Sequence, residues 1–221
     1  MVIRMAVKRK SGRPAKIPGE KDTRERIFDA AVDLFAARGY DGVSVRDIAA
    51  AVGIRESSVY KHYTGKDEIL DGIIDYPMAR IGIIGPPGVK TEELIVTTGL
   101  EDFMAMAGDV FTGWMEDPYM VKIFRIICVE AYHNEQIKKC YLNVVTAAYS
   151  FWVSNFGIMR KHKLIKPCDP KMLSRELLSF IWSAYLDYFL FCYDHTSGSF
   201  PQAYRENIYR HVAFIVNSIK P

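Results

Sequence analysis

Residues 44–66 read SVRDIAAAVGIRESSVYKHYTGK and combine the spacing of two crossing helices with a polar face. Ala49 lies four residues before Gly53 and ten before Val59. A small residue therefore marks the point where a second helix crosses the first, glycine supplies the turn between them, and a β-branched residue packs back. Further apolar residues complete the buried side, namely Ile48, Val52 and Ile54. The stretch predicts a helix-turn-helix pair.

The other side of this predicted pair is polar. It carries side chains that donate or accept hydrogen bonds, namely Arg46, Ser57, Ser58, Lys61 and His62. A helix that enters the major groove of DNA needs an apolar side for its partner helix and a polar side for base edges and phosphates. We therefore expect this segment to bind DNA.

Two further helices are predicted on either side of the pair. Upstream, apolar residues recur at helical spacing and Gly39 is a candidate C-cap after Arg38. Downstream, Thr64 is a candidate N-cap, and Asp67 and Glu68 favour the first turn of the helix that follows. The upstream apolar face consists of Ile27, Ala30, Ala31, Leu34 and Phe35.

The run from residue 23 to residue 70 resembles the N-terminal domain of the TetR (tetracycline-repressor-like) transcriptional regulators. The residues that match the family pattern in register are Gly39-Tyr40, Ser44, Ile48-Ala49, Gly53-Ile54, Val59-Tyr60, His62-Tyr63 and Lys66. Two positions depart from the pattern. Arg55 stands where the family often has a serine cap, and Ser57 stands where it often has glycine.

The resemblance implies two groups of DNA contacts. One group is expected to bind phosphates, namely Ser44, Tyr60, His62 and Lys66. The other is expected to face base edges or flanking phosphates, namely Arg46, Glu56, Ser57, Ser58 and Lys61. Hydroxyl, phenol, imidazole and ammonium groups all donate to phosphate oxygens, whereas an arginine reads guanine in a bidentate pair. For Tyr63 core packing is favoured, because it follows Val59 by one helical turn.

The N-terminal segment is strongly basic. Residues 1–26 hold nine basic and three acidic residues, a net charge of +6, whereas the whole chain carries +3. Residues 1–20 are predicted to form a flexible basic arm, since they are rich in Gly, Pro and Lys. Arg13 lies in the sequence SGRP and suits the narrow minor groove of A·T-rich DNA. A solvated tail without specific contacts remains the alternative.

Length and composition suit a helix-turn-helix domain at residues 21–75 and a larger domain at residues 76–221. With 221 residues, of which 49% are hydrophobic, the chain can bury a sizeable core. The longest apolar stretch, residues 180–193, is too short to span a bilayer. No signal segment or Cys-x-x-Cys motif is present, which predicts a cytoplasmic protein with free thiols at Cys128, Cys140, Cys168 and Cys192.

The second domain is predicted to be helical throughout, so the fold class is all-α. Residues 76–89 read YPMARIGIIGPPGV and indicate a linker. Helices are predicted over residues 92–115, 119–133, 135–156, 170–194 and 201–219, with proline starts for the last two. These last two helices are long and apolar and are joined by a short polar segment. They predict an antiparallel hairpin suited to a four-helix bundle between the subunits of a homodimer.

Two chemistries other than DNA binding are disfavoured by spacing. Residues 81–91, IGIIGPPGVKT, resemble a strand and a nucleotide-binding loop, but Val89 separates Gly88 from Lys90 and two prolines remove N–H donors. The five histidines include no pair at three- or four-residue spacing. We therefore expect no enzyme, no metal site and no cofactor.

The second domain is rich in aromatic and methionine side chains, which suit an apolar ligand. The TetR resemblance implies an effector pocket between the helices. The candidate lining residues are Phe103, Met106, Trp114, Phe124, Cys128, Trp152, Phe156, Trp182 and Tyr185. For any single ring, plain core packing is the alternative.

Together these features predict a homodimeric transcriptional repressor that binds a palindromic operator in double-stranded DNA. It is expected to leave the operator on binding a small apolar or aromatic effector. A DNA-binding protein that acts without an effector, or through a protein partner, remains the alternative.

Overall fold

The computed structural model describes residues 21–78, 88–194 and 200–221. These ranges form nine α-helices and one π-helical turn and contain no β-strand, which confirms the all-α fold class. The helices are α1 (Thr23–Arg38), α2 (Val45–Val52), α3 (Glu56–Val59), α4 (Lys66–Met78), α5 (Thr91–Glu116), α6 (Pro118–Glu130), α7 (Glu135–Lys161), α8 (Pro170–Asp187) and α9 (Gln202–Ile219). The π-helical turn, Tyr188–Cys192, continues α8. None of the described helices is long and apolar enough to cross a membrane.

Local capping chemistry sets where several helices begin. Asp22 caps α1 in a capping box with Glu25. Asp169 caps α8, and Pro170 occupies the first turn as the sequence predicts. Pro201 instead precedes α9 as its N-cap residue, so that this helix begins at Gln202. The segment 79–87, which includes most of the predicted linker and the loop-like sequence GPP, lies outside the described residues.

Three helices end where the sequence pattern did not predict. Helix α7 continues to Lys161 rather than ending at Phe156, because Phe156 and Met159 are both buried in the same core and keep the helix going. Helix α6 ends at Glu130, three residues early. The α-helical part of the predicted helix 170–194 ends at Asp187, where the π-helical turn takes over.

The helix-turn-helix domain shares its core with the rest of the chain. The cluster that contains Ile27, Phe35 and Ile48 also contains Ile123 and Ile127 of α6 and, from α7, Ile137, Cys140 and Val144. The domain boundary predicted at residue 75 is therefore crossed by continuous apolar packing. Helix α6 is the element against which the N-terminal helices are held.

A polar contact reinforces this apolar junction. The buried carboxylate of Glu130 accepts a hydrogen bond from the backbone N–H of Tyr40 at 2.9 Å. Lys122 of α6 forms an ion pair with Asp33 of α1 at 2.6 Å. The end of α1 is thus fixed to α6 through its backbone as well as through side chains.

The remaining helices surround two further cores. One lies between α5, α7, α8 and α9, and the other lies around the π-helical turn and the end of α5. Helices α8 and α9 run antiparallel, as predicted: the ring of Phe180 stacks on His211 with centroids 4.3 Å apart, and the hydroxyl of Tyr204 donates to Asp187 at 2.6 Å. Residues 195–199, which contain most of the connection, lie outside the described residues.

We predict that Gly39→Ala destabilises the protein. Gly39 has φ 75° and ψ 165°, a region that side chains disfavour, and an added Cβ would lie 2.8 Å from a carboxylate oxygen of Glu130. The expected loss is about 1–3 kcal/mol of unfolding free energy, measured by urea denaturation. Gly65→Ala is the matched control, because a Cβ there meets nothing within 4 Å. Equal unfolding midpoints for the two variants would contradict the prediction.

Candidate DNA-binding surface and effector cavity

The first helix of the pair begins with a complete capping box. The hydroxyl of Ser44 accepts from the backbone N–H of Asp47 at 3.2 Å, and the Asp47 carboxylate accepts from the backbone N–H of Ser44 at 2.8 Å. The hydroxyl also donates to the same carboxylate. These hydrogen bonds lower the pKa of Asp47 below its ordinary value. Ser44 therefore shapes the helix end, and its proposed phosphate contact must be made in addition to this cap.

Gly53 turns the chain between α2 and α3. Its φ of 74° and ψ of 33° lie in the left-handed region, which glycine adopts without steric cost. Its N–H donates to the carbonyl of Ala50 at 3.1 Å. Arg26 of α1 donates to the carbonyl of Val52 at 2.7 Å, where a cation also complements the helix dipole. The turn is held from both its own helix and α1.

The apolar side of the pair is buried as the spacing predicts. Ala49 is 2% exposed and Val59 is fully buried, so the small residue and the β-branched residue occupy the helix crossing. The second helix, α3, is only one turn long. Arg55 occupies its N-cap without a side-chain hydrogen bond to the helix. The departure from the family pattern at this position therefore leaves the start of α3 without the usual serine cap.

The polar residues around α3 face solvent. Tyr60 is 52% exposed, which is unusual for a tyrosine beside a well-packed core. Arg46, Glu56, Ser57 and Lys61 are also exposed, while Ser58 and His62 are partly buried. Tyr63 is instead buried, and its hydroxyl donates to the carbonyl of Arg24 at 3.2 Å, which confirms the core interpretation. The structure thus leaves one predicted tyrosine free for a phosphate and uses the other for packing.

Lys66 has a structural role that the sequence pattern did not show. Its ammonium donates to the carbonyls of Tyr40 at 3.0 Å and Val43 at 3.3 Å, and it lies 4.0 Å from the centroid of the Tyr40 ring. Tyr40 in turn donates its hydroxyl to Asp67. An ammonium has three donors, so two hold the loop before α2 and one is left. A phosphate contact by Lys66 stays a prediction.

The described part of the basic segment is bound within the protein. Lys21 pairs with Asp29 at 2.7 Å, and Arg24 lies 4.8 Å from the Tyr63 ring centroid while Arg26 holds Val52. These three cations therefore support the helix-turn-helix domain. Arg13 and the other basic residues of positions 1–20 lie outside the described residues, and the role of the arm stays a prediction.

A cavity of about 340 Å³ lies in the second domain between α5, α8 and α9. One face of α9 forms its longest wall, with residues at helical spacing, namely Arg205, Ile208, Tyr209, Val212, Val216 and Asn217. Helix α5 contributes Met104 and Phe111, and α8 contributes Leu177, Ile181 and Tyr185. The cavity has the size and the mostly apolar lining of a small-ligand site.

Two of the nine predicted pocket residues line this cavity, Trp152 and Tyr185. The other seven lie outside the lining of this cavity and pack in or against the apolar cores, so that their part in ligand binding stays a prediction; they are Phe103, Met106, Trp114, Phe124, Cys128, Phe156 and Trp182. The sequence pattern does not predict the α9 wall, because an apolar face on this helix also suits the predicted dimer surface. One signal for the wall is present in the sequence. Because α9 carries apolar residues at helical spacing on more than one face, one of these faces is available for a cavity.

Charged and polar groups lie toward the two ends of the cavity. Arg205 pairs with Glu116 at 2.7 Å at one end, and Lys220 pairs with Glu101 at 3.1 Å at the other. Between these pairs, the hydroxyls of Thr112 and Tyr209 are hydrogen-bonded across the gap between α5 and α9. Among the described residues, no group of three His, Cys, Asp or Glu side chains is placed to hold a metal ion.

The helix-turn-helix pair places the protein in the class of helix-turn-helix DNA-binding proteins. Comparisons with known proteins narrow this assignment. Residues 27–73 match the model of the bacterial regulatory proteins of the tetR family. The transcriptional repressor KstR2 of Rhodococcus jostii is 39% identical over 90 residues, 38% of this chain and 44% of that protein. The negative transcriptional regulator IcaR of Staphylococcus epidermidis is 44% identical over 46 residues, 21% of this chain and 25% of that protein. The chain matches less than half the length of either relative.

Solved structures extend the likeness to the whole fold. The ketosteroid transcriptional regulator KstR2 of Mycobacterium tuberculosis has a TM-score of 0.60 at 19% identity, covering 93% of this chain and 100% of that one. A TetR transcription regulator of Haloarcula marismortui has a TM-score of 0.63 at 15% identity, covering 90% and 98%. Residues 27–73 are therefore similar to the tetR family in sequence, and the chain as a whole is similar to these solved regulators in fold.

We predict that Tyr60→Phe and Arg46→Ala weaken DNA binding in different ways. Loss of the exposed Tyr60 hydroxyl should lower affinity for all duplexes about 5-fold, because a phosphate contact carries no sequence information. Loss of Arg46 should cost about 1–3 kcal/mol and relax the preference at one base position. Affinities for a pool of randomised duplexes at fixed salt separate these outcomes.

The matched control is Tyr132→Phe, which removes a hydroxyl from a tyrosine that is 89% exposed beyond the end of α6. This variant should bind DNA like the wild type. A changed base preference for Tyr60→Phe, or unchanged binding by both test variants, would contradict the assignment of phosphate contacts and base contacts.

Proposed function

We propose that this protein is a transcriptional repressor that binds a palindromic operator as a homodimer and is released by a small effector in the α5–α8–α9 cavity. The observation that carries the DNA-binding part is the helix-turn-helix pair, with its apolar side buried and its polar side around α3 in solvent. Relatives that match this segment are named transcriptional repressors and regulators, which supports the same assignment.

The small size of the reading element supports the proposal of a dimer. Helix α3 is one turn long, and so small a surface gives too little affinity unless two half-sites are bound together. Helices α8 and α9 carry exposed apolar side chains suited to a twofold interface, namely Met172, Phe180 and Phe214. These residues lie on helix surfaces other than the cavity lining.

The position of the cavity and the packing of α6 support the proposal of release by an effector. Helix α6 packs against α5, which forms one cavity wall, and against α1 of the DNA-binding domain. A ligand that binds better to an arrangement with displaced heads lowers operator affinity by the same factor. The Glu130–Tyr40 hydrogen bond and the Lys122–Asp33 ion pair join α6 to the head.

We predict that Phe214→Glu produces monomers. Phe214 is 68% exposed, so the folded monomer tolerates a charge there, whereas a twofold interface would bury two like charges. Light scattering should show the mass of one chain, and operator affinity should fall steeply. Leu142→Glu is the control, because Leu142 is an exposed apolar residue on α7. A fully dimeric Phe214→Glu protein would place the interface elsewhere.

We predict that occupation of the cavity and operator binding oppose each other. Among a chemically diverse panel, ligands that quench the fluorescence of Trp152 in the cavity wall should weaken operator binding about 5- to 150-fold, which corresponds to couplings of about 1–3 kcal/mol. Ala105→Trp places a large side chain on the cavity lining and should abolish both effects. Ala147→Trp, at an exposed position on α7, should leave them intact.

Two results would contradict effector control. Ligands that quench tryptophan in the wild type and leave operator affinity unchanged would show a binding cavity without coupling to DNA. The second result is that no ligand of the panel binds the wild type and fails to bind Ala105→Trp. It would favour the alternative of a repressor that acts without an effector or through a protein partner.

A further inference from the structure

The basic side chains of the helix-turn-helix domain form two sets. One set is bonded within the protein and consists of Lys21, Arg24, Arg26 and Lys66. The other set has no hydrogen bond or ion pair among the described residues and consists of Arg38, Arg46, Arg55 and Lys61. The first set supports the fold, whereas the second is available to bind DNA. Within the second set, Arg46 and Lys61 are expected DNA contacts, but Arg55 has no role so far.

Arg55 combines a fixed backbone with an unpaired side chain. Its carbonyl accepts from the N–H of Ser58 at 2.8 Å, and the N–H of the preceding residue, Ile54, donates to the carbonyl of Ala49 at 3.0 Å. Ile54 also packs against the core of the domain. Arg55 itself is exposed, and its guanidinium has no partner in the described part of the chain. The start of the side chain is therefore held in place, while its charged end can bind another molecule.

The stability of α3 does not explain an arginine at this position. Arg55 is the N-cap residue of this one-turn helix and makes no capping hydrogen bond. Serine, threonine, asparagine and aspartate accept a hydrogen bond from the first turn and stabilise the start of a helix. The neighbouring helix α2 has such a cap in Ser44. The arginine leaves the start of α3 less stable than a serine would, so its use lies outside the folding of this helix.

The position of Arg55 along α3 indicates which part of DNA its side chain meets. A reading helix in the major groove contacts base edges with the residues at its N-terminal end. Arg55, Glu56 and Ser57 lie at this end and are all exposed, whereas Tyr60, the proposed phosphate contact, follows the other end. Of the three, Arg55 has the longest side chain and alone carries a positive charge. A guanidinium forms two hydrogen bonds with O6 and N7 of guanine, the commonest specific contact in the major groove.

We infer that Arg55 reads a guanine in each half-site of the operator, in addition to the base contact expected of Arg46. This inference rests on the proposed function and names a residue that determines the sequence specificity of the same surface. It has a consequence of opposite sign for folding and for binding. Replacement of Arg55 by serine should stabilise the free protein and impair the reading of the operator, a combination that a structural role of Arg55 would not produce.

The experiment selects duplexes from a randomised pool with the wild type, Arg55→Ser and Arg55→Lys. Affinities for the selected operator and for a scrambled duplex are then measured at fixed salt. The wild type should prefer guanine about 5- to 150-fold at one position of each half-site, and Arg55→Ser should lose this preference. Arg55→Lys should bind the scrambled duplex like the wild type but prefer guanine less strongly, because an ammonium lacks the planar fork of a guanidinium.

Thermal melting gives a readout that is independent of DNA. Arg55→Ser should melt about 1–4 °C above the wild type, because serine supplies the missing cap. Lys166→Ser is the matched control, since it removes an exposed positive charge from the connection between α7 and α8. It should leave the melting temperature and the base preference unchanged. A clearly lower melting temperature of Arg55→Ser would show that Arg55 stabilises the free protein and would overturn the inference.

The failure of this inference differs from the failure of the proposed function. If Arg55→Ser lost the same factor of affinity for the operator and for the scrambled duplex, Arg55 would be a phosphate contact and the inference would be overturned. Identical base preferences of the wild type and both variants would overturn it as well. Either result leaves a protein that binds DNA. A wild type that selects no duplex from the pool would contradict the proposed DNA binding, and the inference with it.

Discussion

The carboxylate of Glu130 is buried at the C-terminal end of α6 and accepts the backbone N–H of Tyr40. A negative charge is unfavourable at this end of a helix, where the unpaired carbonyls already carry the negative end of the dipole. The hydrogen bond from Tyr40 offsets part of that cost and satisfies a backbone group at the end of α1. Gly39 is a further requirement of the contact, because any Cβ there would collide with the same carboxylate. The orientation of the DNA-binding domain depends on this junction.

Tyr40 extends the junction to the rest of the helix-turn-helix domain. Its carbonyl accepts from Lys66 of α4, and its hydroxyl donates to Asp67 of the same helix. Because Lys66 also holds the carbonyl of Val43, the loop that leads into α2 is fixed by the start of α4. One residue thus connects α1, α4 and α6. In the proposed mechanism, a shift of α6 moves the head as a unit, because its internal contacts are short and its core is continuous with that of α6.

Helix α9 serves two surfaces at once. One face lines the cavity with residues such as Ile208 and Val212, while Phe214 projects from another face into solvent. The antiparallel packing of α5 and α9 leaves the cavity between two terminal ion pairs, Arg205–Glu116 and Lys220–Glu101. In the proposed dimer, α9 therefore belongs both to the interface between the subunits and to the wall of the cavity. In the proposed mechanism, occupation of the cavity acts on the geometry of the dimer through this one helix.

The sequence by itself determined the all-α class and the helix-turn-helix pair, because Ala49, Gly53 and Val59 act through local spacing and backbone conformation. It did not determine which aromatic rings face the cavity: Phe103, a predicted pocket residue, is fully buried and lies outside the lining of this cavity. Periodicity places a residue on a helix face, but the rotation and packing of several helices decide what that face meets. The role of Glu130 was equally invisible, since its partner is a backbone amide ninety positions away along the chain, and such a contact leaves no pattern in the residues around it.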